Sequence, residues 1–257
     1  MGSINSVDNI YDSKKKLYHY TNIEGLYYIL KNKTIKFNSL KFVDDLEEQK
    51  SFDLNNFGQF NFVSCFTMNS EDLIPLWSLY SKGMTGVRIE LPSDFFDYNI
   101  AQSSIISQIQ DYNLMLVTSP LFRPIVGVKI EYTNNENEIF PKIWDESNKK
   151  YPLKLNQLGK HKRKIWSFER EVRYIIYTYP NNWYKENDSL NQAKQNIITF
   201  KNDVKSLFIP IKDDVLGNIK IVIGPRATEF EKSIIKLIAK NFGVKDNYVS
   251  ESKLQIQ

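Results

Sequence analysis

A β-branched and aromatic run near the middle of the chain, VRYIIYTYP (172–180), most constrains the fold. Such residues pack best on a pleated sheet, so the run predicts a central strand. Charge directly precedes it, in the sequence FERE. If the strand starts at Phe168, period-two alternation places Glu169, Glu171 and Arg173 on one face. Two carboxylates and a guanidinium do not build a core. This face is therefore either a solvated surface with an internal ion pair or the wall of a cleft.

Patterns on both sides of this run predict short helices and strands in irregular order. Leu17 to Tyr20 is predicted to be a strand, and Thr21-Asn22-Ile23-Glu24 a capping box that starts a one-sided helix with Thr21 as its cap. Ser70 is predicted to cap a second helix that bends at Pro75. A last helix is predicted from Thr228, again with a capping box.

The remaining predictions complete an α+β domain with a mixed or antiparallel, split sheet flanked by short helices. Helical segments are expected in DDLEEQ, in part of 98–119 and around 151–165. Strands are expected in TIKF, NFVSCFTM, GVRIEL, PIVGVKIEYTN, NIITF, SLFIPI and IKIVIG.

No repeat and no Gly/Ser- or Pro-rich linker divides the 257 residues, so one domain is the simplest organisation. We expect a polar tail over 1–16 and a domain over 17–257, with insertions near 98–119 and 134–150. No apolar run approaches the roughly 20 residues that cross a bilayer, and no export signal is recognisable. One cysteine excludes a disulfide framework. We therefore expect a cytoplasmic protein that does not bind membranes.

Several chemistries are disfavoured by composition. Two histidines and one cysteine cannot build a typical structural zinc site, and no P-loop or dinucleotide fingerprint is present, so no metal is expected. A nucleophilic pair of Cys65 with His19 or His161 remains formally possible. However, a thiol within the apolar run FVSCF is typical of an inert core residue. The net charge of +4 permits a polyanionic partner without implying one.

Glu169 and Glu171 suit chemistry that passes through a sugar cation, because a fixed negative charge stabilises an oxocarbenium-like transition state. The bond between ribose and nicotinamide in NAD breaks through such a state. His19, at a strand end, is placed to hydrogen-bond to ribose hydroxyls, and Tyr20 to stack on the leaving base. A strand-end histidine is, however, more often structural.

Two further motifs have a functional and a structural interpretation. Trp77 and Tyr80 share one helix face, where such a pair either packs in the core or stacks on a ligand. Arg226 comes just before a helix N-terminus, where it would help to hold an anion. The alternative is that Gly224 and Pro225 merely turn the chain.

The order of motifs resembles that of one family. The stretches LYHYTNIEGLYYILKNKTIKF, FVSCFTMNSEDLIPLWSLYSKGMTGVRIEL, WSFEREVRYI, IVIGPRAT and SKLQ follow one another as in DUF2971, a mostly bacterial family of unknown function. This resemblance covers nearly the whole chain and names no reaction.

The opening is also similar to ADP-ribosyltransferase-like folds, including the DNA-targeting toxin ADP-ribosyltransferases and the RNA 2′-phosphotransferases. In these proteins a strand ends in histidine, a threonine or tyrosine follows, and a helix comes next. His19, Tyr20 and Thr21 match that order. The resemblance implies an ADP-ribosyltransferase-like fold with NAD as the substrate.

The Glu-x-Glu sequence at 169–171 has the form found on the catalytic strand of the larger superfamily. By that resemblance Glu171 stabilises the ribosyl cation and Glu169 orients the acceptor. His19 and Thr21 hold NAD.

The leading hypothesis is an intracellular ADP-ribosyltransferase-like enzyme that moves ADP-ribose from NAD to a protein or nucleic acid, as a toxin or phage-defence effector. Its predicted catalytic residues are Glu171, Glu169 and His19. Its predicted NAD contacts are His19, Tyr20, Thr21, Trp77, Tyr80 and Arg173.

Three alternatives stay open. Simple NAD hydrolysis uses water as the acceptor. A non-catalytic module would bind a nucleotide or a nucleic-acid end through Arg173, Arg226 and stacked aromatic rings. A nuclease is disfavoured, because the carboxylates lack the spacing of a two-metal set.

Overall fold

The computed structural model describes residues 15–118, 123–148, 152–185 and 188–256. Most of the predicted polar tail lies outside these ranges. The strands are β1 (Lys16–Thr21), β2 (Thr34–Ser39), β3 (Asn61–Thr67), β4 (Val87–Pro92), β5 (Leu114–Leu116), β6 (Val126–Lys129), β7 (Glu131–Thr133), β8 (His161–Arg163), β9 (Glu171–Pro180), β10 (Ser206–Pro210), β11 (Lys220–Ile223) and β12 (Val249–Glu251).

Helices connect and cover these strands. The α-helices are α1 (Ile23–Asn32), α2 (Ile74–Tyr80), α3 (Tyr98–Ile109), α4 (Glu136–Ile139), α5 (Leu190–Thr199), α6 (Asp213–Leu216) and α7 (Glu229–Asn241). The short 3-10 helices are Leu40–Phe42, Phe57–Phe60, Gln110–Tyr112, Leu155–Gln157, Lys164–Glu169 and Asp246–Tyr248.

A mixed sheet organises the fold in the order β10-β2-β3-β1-β4-β11-β12, with β9, β6 and β5 branching from β3. Its pairs are antiparallel except β11 with β12, and a separate parallel pair joins β7 to β8. The sheet divides at β3. This strand pairs with β9 along its whole length, from Asn61 to Thr67, but with β1 through the register pair Tyr18–Thr67. The α+β class and the mixed sheet are thus confirmed.

The predicted central strand is β9, which is buried along almost its whole length. It pairs with β3 on one edge and with β6 and β5 on the other. On one face Tyr174 packs edge-to-face on Phe66, Phe95 and Phe96. Such aromatic packing fixes the core face of β9 and leaves its other face to the charged residues.

The predicted starts of the first two helices were wrong. Asn22, not Thr21, caps α1, because Thr21 is still paired in β1 with Val87. Helix α2 begins at Ile74, so Pro75 occupies its first turn, where its missing N–H costs nothing, and Ser70 lies outside the helix.

NIITF belongs to helix α5, in which Ala193 and Ile197 bury one face four residues apart. DDLEEQ forms turns rather than a helix.

Other segments differ in detail. PIVGVKIEYTN divides after Ile130 into β6, which pairs with β9, and β7, which pairs with β8. The N–H of Ile130 still donates to the carbonyl of Glu171, whereas the N–H of Glu131 donates to the carbonyl of Lys160. The predicted helical segment around 151–165 contains a 3-10 turn and β8. The insertion predicted near 98–119 contains α3 and β5, and the one near 134–150 contains α4. Residues 119–122 and 149–151 lie outside the described ranges.

The capping box at Thr228 is confirmed, since its hydroxyl accepts from the N–H of Glu231 and its own N–H donates to the Glu231 carboxylate. In the part of the chain that the structure describes, no helix combines the length and apolar character of a membrane span.

Candidate active site

A cavity of about 230 Å³ lies beside the division of the sheet, where β1, β3 and β9 meet. It brings together six of the eight residues predicted to act on NAD or to bind it. These are His19, Tyr20, Tyr80, Glu169, Glu171 and Arg173. Residues that are far apart in the sequence therefore line one cavity.

The strand registers explain why Tyr18 and Tyr20 share a face of the sheet with Glu171 and Arg173. Tyr18 faces Thr67 across β1 and β3, and Thr67 faces Glu171 across β3 and β9. Residues directly opposite one another project from the same face of a sheet. Two positions further along, Cys65 faces Arg173. The face opposite the aromatic core thus carries the charged residues of β9.

Glu169 reaches the cavity by a different route from the one predicted. It ends the 3-10 helix Lys164–Glu169, and Arg170 then takes a left-handed conformation with φ of 45° before β9 begins at Glu171. The expectation that Glu169 lies on the strand was therefore wrong. The turn at Arg170 nevertheless directs both glutamates to Lys162, since Lys162 Nζ lies 2.6 Å from Glu169 and 3.2 Å from Glu171.

A buried ion network underlies the cavity. Arg173 bonds to Glu171 through Nε at 2.7 Å and to Glu48 through Nη1, while Lys162 Nζ lies 3.5 Å from Glu48. Three carboxylates, those of Glu48, Glu169 and Glu171, therefore meet two cations. With all five side chains buried, the cluster holds one net negative charge in a setting that screens it weakly.

The pKa values of the two glutamates in the Glu-x-Glu sequence are shifted in opposite directions. Burial raises the pKa of Glu171, but Arg173 and Lys162 outweigh it and lower that pKa to about 2. For Glu169, burial and then the charge of Glu171 raise the pKa above its usual range. Glu171 is therefore a permanent anion, whereas Glu169 is the carboxyl suited to exchange a proton.

Tyr80 adds a second contact to Glu169. Its hydroxyl donates to Glu169 Oε1 at 2.6 Å, and burial with the nearby Glu169 charge raises the pKa of Tyr80 far above its usual value. Tyr80 is thus a constant hydrogen-bond donor at this wall. The predicted stacking on a ligand is a separate role that this contact does not require.

His19 lies with its Nδ1 2.9 Å from the carbonyl oxygen of Cys65. A carbonyl oxygen only accepts, so Nδ1 carries the proton and Nε2 is left as an acceptor. Burial lowers the pKa of His19, which favours this neutral form. A half-buried cavity residue with a fixed acceptor nitrogen is well suited to receive a hydrogen bond from a hydroxyl group.

The alternative cysteine–histidine pairs do not form. His19 contacts the backbone of Cys65 rather than its thiol, and burial raises the pKa of that thiol. His161 lies 3.5 Å from Glu131 and outside the cavity lining. A protonated thiol is a poor nucleophile.

Two predicted contacts lie outside the cavity lining. Trp77 is fully buried and packs edge-to-face on Tyr20, so the ring belongs to the core beneath the wall. Thr21 ends β1 in register with Val87. The hydroxyl of Tyr20, which does line the cavity, accepts from the N–H of Leu73 at 3.3 Å. Arg226 also lies outside the lining.

Sequence reasoning missed two members of the ion network, Glu48 and Lys162. Glu48 lies in the acidic segment DDLEEQ and Lys162 in the basic segment KHKRK, and both segments have the composition of solvated surface. No periodic pattern marks either residue as buried. Throughout the described ranges, no group of three His, Cys, Asp or Glu side chains is arranged to hold a metal ion.

Comparison with known proteins identifies one similarity. Residues 76–174 match the model of a family described as protein of unknown function, DUF2971. The match runs from α2 into β9 and includes Tyr80, Lys162, Glu169, Glu171 and Arg173. No curated protein and no solved structure matches the chain, so the likeness to ADP-ribosyltransferases stays a prediction. The similarity is therefore to the DUF2971 family and covers residues 76–174.

Proposed function

We propose that this protein is an ADP-ribosyltransferase-like enzyme that breaks the bond between nicotinamide and ribose in NAD and transfers ADP-ribose to a macromolecule. One observation carries the proposal. Glu171, Glu169 and His19 border the same cavity, although His19 lies far from the glutamates along the chain. Widely separated side chains that converge on one cavity are the usual mark of a binding or catalytic site.

The charge of the cavity supports the orientation of NAD. Its lining has five acidic residues and three basic ones, so it carries two net negative charges with a neutral histidine. These residues are Asp44, Asp45, Glu48, Glu169, Glu171, Lys36, Lys162 and Arg173. The nicotinamide ring of NAD is a cation and its diphosphate an anion. The cavity therefore favours the ring inside and the diphosphate at the mouth.

Tyrosines strengthen the preference for a cationic ring. Tyr18, Tyr20 and Tyr80 all border the cavity. The face of an aromatic ring attracts a cation, and a flat ligand ring also gains by packing against it. Together the tyrosines and the acidic residues match the chemistry of a pyridinium ring.

The proposed reaction begins with cleavage of the glycosidic C–N bond, whose electron pair leaves with neutral nicotinamide. Glu171, as a permanent carboxylate, stabilises the positive charge that develops on ribose. The acceptor oxygen or nitrogen then bonds to the anomeric carbon, and its proton passes to Glu169. His19 Nε2 accepts a hydrogen bond from a ribose hydroxyl. With NAD supplied by the cell interior, the enzyme would act in the cytoplasm.

The decisive experiment compares purified wild type with Glu171→Gln and with the control Glu229→Gln, whose side chain is 90% exposed on α7. Nicotinamide release is followed by chromatography and NAD binding by calorimetry. We expect Glu171→Gln to bind NAD and lose about 100-fold or more of the release rate, as a lost electrostatic contact to a transition state predicts. The control should match wild type. A wild-type protein that neither binds NAD nor releases nicotinamide would refute the proposal.

A non-catalytic nucleotide-binding module is the second candidate. It is favoured by the ion network itself, since Glu171 already bonds to both Arg173 and Lys162. This candidate predicts nucleotide binding that weakens with salt and yields no product. NAD hydrolysis shares the first step of the proposed reaction, and it would be recognised by free ADP-ribose in the absence of any acceptor.

A further inference from the structure

Lys162 places one ammonium group among three buried carboxylates. Its Nζ atom lies 2.6 Å from Glu169, 3.2 Å from Glu171 and 3.5 Å from Glu48. The side chain is 6% exposed, and Nζ also lies 4.8 Å from the centre of the Trp166 ring. A lysine this deeply buried is retained in charged form only by such partners.

Strand β8, which carries Lys162, is held in place by its neighbours. Lys162 is the middle residue of β8 and lies in parallel register with Tyr132 of β7. The next residue, Arg163, projects away from the cavity and binds Glu47 and Glu136, each at 2.6 Å. Strand β8 is therefore anchored on its outer side, while its inward residue reaches the carboxylates. The arrangement limits how far Lys162 can move.

We propose that Lys162 is the positioning residue of this site: it bridges Glu169 and Glu171 and holds both carboxylates on the cavity wall. The inference rests on the proposed function for its catalytic consequence. Because both carboxylate oxygens accept a hydrogen bond from the same Nζ atom, they cannot lie further apart than the sum of the two hydrogen-bond lengths. Without the bridge, two buried carboxylates close in sequence would repel each other and turn apart or take up a proton.

Other charged and titratable groups surround Glu169, but none replaces the bridge. Tyr80 approaches from α2, Glu171 from β9 and Tyr132 from β7, and none of these brings positive charge. Arg173 does, yet its guanidinium bonds to Glu171, Glu48 and the carbonyl of Gly159. Among the residues that the structure describes, Lys162 is the cation that pairs with Glu169.

The test measures the titration of Glu169 directly, by carbon NMR of labelled glutamate side chains, with Glu169→Gln to assign the signal. We expect Lys162→Met to raise the apparent pKa of Glu169 by about one unit or more, as loss of an adjacent opposite charge predicts. Lys162→Arg should shift it less. Lys164→Met, an exposed neighbour on the 3-10 helix, should leave the signal unchanged.

Kinetics then separate positioning from a purely structural role. In Lys162→Met, kcat for nicotinamide release should fall about tenfold or more while KM for NAD changes little, and the acidic limb of the pH profile should move to higher pH. A uniform loss at every pH, with Glu169 titrating as in wild type, would overturn the proposal. If no variant, including wild type, acts on NAD, the NMR shift still decides the bridging role and the failure falls on the proposed function.

A second variant covers the case in which Lys162→Met does not fold. The wild-type cluster has three carboxylates and two cations. The double variant Lys162→Met with Glu169→Gln keeps two carboxylates and one cation, so both clusters carry one net negative charge. Folding of this double variant, where the single variant fails, supports a role exerted through Glu169. Failure of the double variant to fold would assign Lys162 a general structural role and overturn the proposal.

Discussion

His19 donates a 2.9 Å hydrogen bond from Nδ1 to the carbonyl oxygen of Cys65 on the neighbouring strand. Backbone pairing joins β1 and β3 at Tyr18 and Thr67, and the imidazole ties the strands together beside that pair. Its ring also packs on Phe66, with centroids 5.2 Å apart. The histidine is therefore both a structural tie at the division of the sheet and a member of the cavity wall.

This tie makes stability depend on pH. Burial lowers the pKa of His19 from the ordinary 6.5, so the folded protein keeps the ring neutral where the unfolded chain already takes up a proton. The unfolded state then binds more protons, and stability falls as pH drops below that value. His19→Asn keeps a donor that does not titrate. We expect the variant to lose less stability than wild type between about pH 7 and pH 5, as measured by urea unfolding. Equal losses would contradict the prediction.

The buried pair of Glu48 and Arg173 should couple strongly. Their side chains are 3% and 1% exposed, and removal of Arg173 leaves three buried carboxylates with one cation, at a cost of about 3–5 kcal/mol. We expect Arg173→Met to cost that much, Glu48→Gln to cost less because Arg173 keeps its bonds to Glu171, and the double variant to cost less than the sum. The control cycle uses the exposed pair Lys33 and Asp213, for which about 0–1 kcal/mol of coupling is expected. Denaturant unfolding of both cycles checks this, and similar coupling in the two would contradict it.

Local sequence patterns predicted those elements that are determined by residues close together in the sequence. The β-branched run of β9 and the charged residues at its start identified one wall of the cavity, because alternation along a strand assigns Glu171 and Arg173 to one face. Alternation failed at Glu169, since the left-handed turn at Arg170 interrupts it. The location of His19 opposite these residues came from resemblance, not from periodicity.

The rest of the site depends on contacts that no local pattern records. Glu48 lies 125 residues from Arg173 along the chain, and their pairing alone distinguishes Glu48 from the other acidic residues of its segment. Lys162 likewise looks like one of several lysines until β8 is placed beside the cavity. Helix α5 was missed because Ile197 and Ile198 favour strands, whereas the Ser189 cap and packing of Ile197 on the core favour a helix.

The start of α1 provides a direct test of one corrected prediction. The side chain of Asn22 accepts from the N–H of Gly25 at 2.7 Å, which makes it the N-cap. Asn22→Ala should therefore reduce the free energy of unfolding by about 1 kcal/mol. Thr21→Ala should cost less, and Thr228→Ala, which breaks the capping box of α7, should resemble Asn22→Ala. A larger loss for Thr21→Ala than for Asn22→Ala, in urea unfolding, would restore Thr21 as the cap.

Gln108 protects one edge of the sheet. From helix α3 its side-chain amide donates to the carbonyl of Phe208 and accepts from the N–H of the same residue, both at 2.9 Å. Phe208 lies on β10, at the end of the strand order, and an unpaired edge invites pairing with another chain. We expect Gln108→Ala to lose about 1–3 kcal/mol of stability and to associate as concentration rises, followed by light scattering. Gln102→Ala, on the same helix, is the matched control, and equal association of the two variants at every concentration would show that Gln108 does not protect the edge.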